Sequence, residues 1–130
     1  MREIALRRGR AKFRARLIRR YGTCCQISRC DFLGLVEAAH IRPYAATEDN
    51  GAQNGLLLRS DLHTLFDLGL LGIEPQTLLI KFHPTLHAAG YAEFEGCTLF
   101  VNGRSRPSHT ALEERWEFFV SRLESSTLEG

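Results

Sequence analysis

Over residues 5–21 the apolar side chains Leu6, Phe13, Leu17, Ile18 and Tyr21 fall on one stripe with arginines around the remainder, the period of an amphipathic helix. Gly22 supplies its stop. Residues 25–30 read as irregular or as a first short strand. The aliphatic run LGLVEAAHI, residues 33–41, predicts a strand that Pro43 ends. Residues 44–53 (YAATEDNGAQ) are polar and carry Asp49-Asn50-Gly51, so an exposed loop is expected. NGLLLRS, residues 54–60, predicts a second strand. Ser60 is then a natural N-cap for a brief helix opening at Asp61, whose acid suits the positive helix end, and Gly69 closes it.

Strands are expected near 70–74 and 77–82, joined at Glu74-Pro75-Gln76, with a loop over 83–95 and a further strand near 97–101. The basic turn NGRSRP leads to a last helix. Thr110 and Glu113 have capping-box spacing, Leu112, Trp116, Phe119, Val120 and Leu123 share one face, and residues 125–130 should fray. Short strands interleaved with helices make an α+β domain. At 130 residues the chain has room for one modest core, so a single domain over 1–130 is the expectation.

Composition adds little to this picture, but charge changes it. Apolar residues at 44% and charged residues at 25% are ordinary globular values. No run approaches the ~18 apolar residues of a membrane span, and the arginine-rich start lacks a signal peptide's apolar stretch, so a cytoplasmic setting is expected. The net charge of +2 is unevenly spread: nine of 17 Lys and Arg lie in residues 1–20 against Glu3 alone, giving that segment +8 and the remainder −6. Such asymmetry points to a polyanion met by one end of the molecule. Cys24, Cys25, Cys30 and Cys97 show no pair of C-x2-C motifs, so free, buried thiols are expected. A mixed zinc site of Cys25, Cys30 and a histidine is the lesser alternative.

Three polar residues fall at informative places: His40 at a strand end, Asn54 after a loop, and His63 in the short helix that follows. The segment EAAHIRPY-(x9)-NGLLLRSDLHTLFDLG resembles the HNH endonuclease family, particularly a bacterial branch with AAHI-x-PY and NGL-x-L-x-x-x-LH-x-LFD-x-G. The lead-in GRAKFRARLIRRYGTC resembles that branch's first helix, and weaker similarity reaches residue 120. The resemblance implies a ββα-metal core over about 23–69, with a basic lead-in helix over 1–22, extra short strands and a C-terminal helix.

It further implies a DNA phosphodiesterase in which His40 is the general base, Asn54 ties down the site loop and His63 faces the metal. The chemistry is consistent with those residue types. Phosphodiester hydrolysis needs a base whose pKa lies near neutrality and a divalent cation to offset charge on the phosphorane. His63 and Asp67 are four apart, ~40° around the helix and ~6 Å along it, so Asp67 joins His63 as a candidate ligand, with Leu62, Leu65 and Phe66 on the neighbouring face. The set is compatible with Mg²⁺, Mn²⁺ or Zn²⁺ and does not choose between them; one divalent ion per site is expected, Mg²⁺ or Mn²⁺ ahead of Zn²⁺ or Ni²⁺.

One departure matters. Many relatives carry a metal ligand just before the base, where this chain has Ala39. Glu37, on the same face of a regular strand, is the candidate to reach the vacated place, against a plain surface role. Arg14, Arg16 and Arg20 of the basic helix, with Arg42 and Arg59 beside the site, are candidate DNA contacts, while His83, His87 and His109 are expected on the polar surface. A homodimer or a separate recognition domain is compatible with the sequence. The rival reading is a nucleic-acid-binding module of the same fold that has lost cleavage.

Overall fold

A computed structural model describes the backbone of residues 2–129 and the side chains of 10–125. Helix α1 (Arg2–Tyr21) leads in. Gly22, at φ +90°, ends it, its N–H bonding the Ile18 carbonyl at 2.8 Å. A turn over residues 25–30 follows, with no regular strand. Strand β1 is confined to Val36–His40, because Leu33–Leu35 forms a 3-10 turn where a longer strand was expected. The helical turn α2 (Tyr44–Thr47) interrupts the expected loop, and β2 (Gly55–Arg59) follows. The strands are antiparallel, with Val36 opposite Arg59 and His40 opposite Gly55.

Helix α3 (Ser60–Asp67) begins one residue before expectation, with Arg59 as N-cap and no side-chain cap. Gly69, at φ +74°, terminates it, and the Leu70 N–H bonds back to the Leu65 carbonyl, a Schellman-type closure. Strands β3 (Leu71–Ile73) and β4 (Ile80–Phe82) form a second antiparallel pair. The strand expected near 97–101 reduces to one bridge, Thr98 to Leu79. Helix α4 spans His109–Glu129, so it continues past the expected fray at 125, and Gly130 lies outside the described residues. Ser108 is its cap rather than Thr110, with Oγ accepting from the Ala111 N–H at 3.2 Å.

β2 is the spine. Its consecutive Leu56, Leu57 and Leu58 are fully buried, and α1 and α3 both pack against it, so both strand faces are covered. Buried Gln26 closes its free edge: Oε1 accepts from the Leu57 N–H at 2.8 Å while Nε2 donates to the Phe100 carbonyl at 2.8 Å. The flanking helices dock where glycines leave space. A Cβ on Gly55 would lie 2.5 Å from Cζ of Phe13, and one on Gly72 would lie 2.4 Å from Cδ1 of Phe119. The core is continuous from Phe13, Leu17 and Tyr21 of α1 through Val36, Leu62 and Phe66 to Ile80, Leu99 and Leu112. No helix among the described residues is long and apolar enough to cross a membrane.

Candidate active site

The end of β1, the loop after it and one face of α3 meet at a single cleft. One part is lined by His40, Pro43, Tyr44, His63, Asp67 and Arg115, and an adjoining part by Arg10, Phe13, Arg14, Glu37 and the same two histidines. The loop owes its shape to Asn54. That buried amide accepts from the Arg42 N–H at 2.9 Å and donates to the carbonyls of Arg42 at 3.2 Å and Asp49 at 3.1 Å. All three bonds go to backbone of the segment between β1 and β2, two at Arg42 and one at Asp49, so Asn54 acts as a clasp.

His40 is part-buried, with Nε2 2.8 Å from Oδ1 of Asn50 and its ring stacked on Phe13. His63 sits between two carboxylates: Nδ1 is 2.7 Å from Oε1 of Glu37, and Nε2 is 3.2 Å from Oδ2 of Asp67. The bond to Asp67 is the largest influence on His63 and raises its pKa above the ordinary imidazole value; Glu37 adds to the rise and burial opposes it.

Asp67 also accepts from Arg115 of α4 at 3.1 Å. The Arg115 guanidinium lies 4.7 Å from the centre of the Phe66 ring, its Nε is buried without a partner, and burial pulls its pKa down against the pull of Asp67. Nothing local marked Arg115 in the sequence, because it reaches the site from a helix 48 residues away.

His63 Nε2 and Asp67 Oδ2 have the separation of neighbouring ligands on one octahedral ion, about 3 Å for bonds of about 2.1 Å. The pair therefore fits a divalent cation. Glu37 does not stand with them. Ala39 is fully buried, and the Glu37 carboxylate lies on the other ring nitrogen, where a carboxylate fixes a ligand histidine's tautomer and raises its basicity. The Glu37 carboxylate, expected as a third donor, lies 2.7 Å from His63 Nδ1, away from the Nε2 that faces Asp67. Among the described residues no three His, Cys, Asp or Glu side chains converge to hold a metal ion; Cys24, Cys25, Cys30 and Cys97 are free, and Cys97 is exposed rather than buried.

The candidate phosphate-binding arginines all have internal partners. Arg14 donates to the carbonyls of Val36 and Leu33, Arg16 to Asn50, and Arg20 to the Arg106 carbonyl and the Tyr21 hydroxyl. Arg42 pairs with Glu114 at 2.7 Å and Arg59 with Asp61 at 2.6 Å. Arg10, which the sequence reading did not single out, lines the cleft beside His40. His83 is buried rather than on the surface, its Nδ1 within 2.9 Å of the Thr85 hydroxyl, while His109 opens α4 and pairs with Glu113.

The whole chain has no match among curated proteins. Residues 25–74 match the family described as HNH endonuclease. That segment runs from the turn before β1 through β3 and holds Glu37, His40, Asn54, His63 and Asp67, which supports an HNH nuclease core within this α+β fold.

Proposed function

We propose that the chain is a metal-dependent HNH endonuclease that hydrolyses DNA phosphodiester bonds, in the bacterial branch whose units sit within restriction and anti-phage defence proteins. One observation carries the reading: His40 and the His63/Asp67 pair line the same cleft, and the Asn54 clasp shapes the loop that follows His40. His40 takes the proton of the attacking water. His63 and Asp67 would hold one divalent ion, Mg²⁺ or Mn²⁺ ahead of Zn²⁺ or Ni²⁺, with Glu37 fixing the His63 ring. When bound, the ion supplies positive charge against the phosphorane and the leaving oxygen. Arg10 and Arg115, which line adjoining parts of the cleft, are the cations to meet a backbone phosphate.

The test is incubation of wild type and His40→Ala with supercoiled and linear DNA across several divalent metals. His40→Ala should lose at least ~10²-fold in rate, the lower range for a general base, with DNA affinity retained. Equal nicking by the two proteins removes His40 from the mechanism. A wild type that binds DNA yet fails to cut it with any of the metals makes the chain a binding module.

A further inference from the structure

A general base must present a bare nitrogen to its water, so what surrounds the His40 ring decides whether it can serve. Phe13 of α1 stacks on it with centroids 4.0 Å apart and planes 7° from parallel, and Tyr44 lies tilted at 5.6 Å. Both contacts fix the plane of the ring and leave its edges open. One edge is fixed by Asn50, whose Oδ1 lies 2.8 Å from Nε2. An amide oxygen only accepts, so Nε2 must carry the proton and Nδ1 keeps its lone pair. No described residue hydrogen-bonds Nδ1.

Asn50 is anchored from both sides. Its carbonyl accepts from Arg16 of α1 at 2.9 Å, and the carbonyl of Asp49 before it accepts from the Asn54 clasp. The Asp49 carboxylate holds the following turn by accepting from the Gly51 N–H at 2.8 Å. Three bonds thus hold the backbone on either side of the Asn50 side chain.

We infer that Asn50 is a positioning residue for the reaction: it holds His40 in the Nε2–H tautomer and aims Nδ1 at the attacking water, with Arg16 and Phe13 making α1 part of the same support. The inference rests on His40 being the base. In the step itself the water proton passes to Nδ1 and the water oxygen bonds to phosphorus. The bond to the leaving oxygen breaks, and that oxygen takes a proton from solvent. Asn50 exchanges no atom.

Two readouts test this. In ¹⁵N-histidine-labelled, metal-free protein at about pH 8, where an ordinary imidazole is neutral, the His40 resonances are assigned by their loss in His40→Ala. They should show a protonated Nε2 and a bare Nδ1 in wild type and in Asn50→Asp, which keeps an acceptor, and mixed tautomers in Asn50→Ala. On supercoiled plasmid, Asn50→Ala should lose roughly 10- to 100-fold in kcat, the scale of a misaimed group, with KM little changed, and Asn50→Asp should recover most of that loss.

A wild-type His40 protonated on Nδ1 overturns the inference. So does an Asn50→Ala protein with unaltered tautomer and kcat. A wild type that cuts no DNA overturns the assignment of His40 as base. The tautomer measurement is independent of cutting, so the failure of that assignment and the failure of Asn50 to hold the ring are told apart.

Discussion

Gly55 stands directly opposite His40 in the β1–β2 register, and the structure explains why the motif N-G-L has no side chain there. A methyl group at this position would lie 2.5 Å and 2.7 Å from two ring carbons of Phe13 and 2.8 Å from Cδ1 of Leu17, both fully buried. Ordinary contact begins near 3.4 Å, so Gly55→Ala must push the Phe13 ring by roughly 1 Å, and overpacking of that kind costs about 1–3 kcal/mol. The extended backbone, φ −141°, accepts alanine, which returns about 0.4–1 kcal/mol through the unfolded chain. The net loss is about 0–2.6 kcal/mol, a fall in melting temperature of up to about 10 °C for a chain of this length.

Because Phe13 covers the His40 ring, cleavage of supercoiled plasmid should fall by more than the folded fraction does. A Phe13→Leu change in the Gly55→Ala background should cost less than the two single changes summed, since the smaller side chain relieves the clash. Thermal melts of the four proteins read the coupling. A Gly55→Ala protein more stable than wild type, or strictly additive costs, would refute the packing argument.

Three further outcomes follow from the geometry. Asp67→Ala and Glu37→Gln should both raise the Mn²⁺ midpoint in calorimetric titration, the latter roughly 10- to 100-fold as for other orienting partners; unmoved midpoints would place the metal elsewhere. Arg10→Gln should weaken DNA binding and flatten the plot of log K against log salt by roughly one unit with the melting temperature unmoved, whereas Arg14→Gln should cost about 1 kcal/mol or more through its lost carbonyl bonds; the reverse pattern would return Arg14 to the DNA surface. The Arg59 bond, aided by Tyr91, holds the Asp61 carboxyl at about 2. A depressed carboxyl stabilises the fold above its unfolded value of 3.8 and loses that contribution as pH falls towards 2. With Asp61 side-chain exposure at 40%, screening limits the gain to about 1 kcal/mol. The metal-free stability gap between wild type and Asp61→Asn should therefore close on acidification from about pH 4, and a constant gap would contradict it.

Elements punctuated locally were legible in the sequence. Gly22 and Gly69 stop α1 and α3 where expected, because a left-handed residue leaves little choice at a helix end, and aliphatic runs marked β1 and β2. What the sequence hid was non-local. Arg14, Arg16 and Arg20 count as free charge along the chain, yet each spends donors on carbonyls 19 to 86 residues away. His83 reads as loop surface but is drawn inside where its N–H bonds the Leu70 carbonyl. Gln26 carries no motif at all, since its role comes from a strand edge that exists only after folding. At the candidate site, the four-residue helical spacing made the His63/Asp67 pairing legible, whereas His40 followed from the resemblance. The placement of Glu37 on the far ring nitrogen depends on how β1 lies against α3, which periodicity does not encode.

The continuous core also bears on how this chain could be cut or fused. The family match runs from residue 25 to residue 74, but the hydrophobic interior ignores those limits. Phe13, Leu17 and Tyr21 enter it from before the segment, and Ile80, Phe82, Leu99 and Leu112 from after it. A fragment trimmed to the match would keep the chemistry-bearing side chains and α3, and lose α1, one of the two helices packed against the strand of Leu56, Leu57 and Leu58. The boundary drawn by similarity is therefore not the boundary of the hydrophobic interior. A chimera that transplants this unit should accordingly take its seams outside the two long helices, since a seam inside either one opens the interior to water.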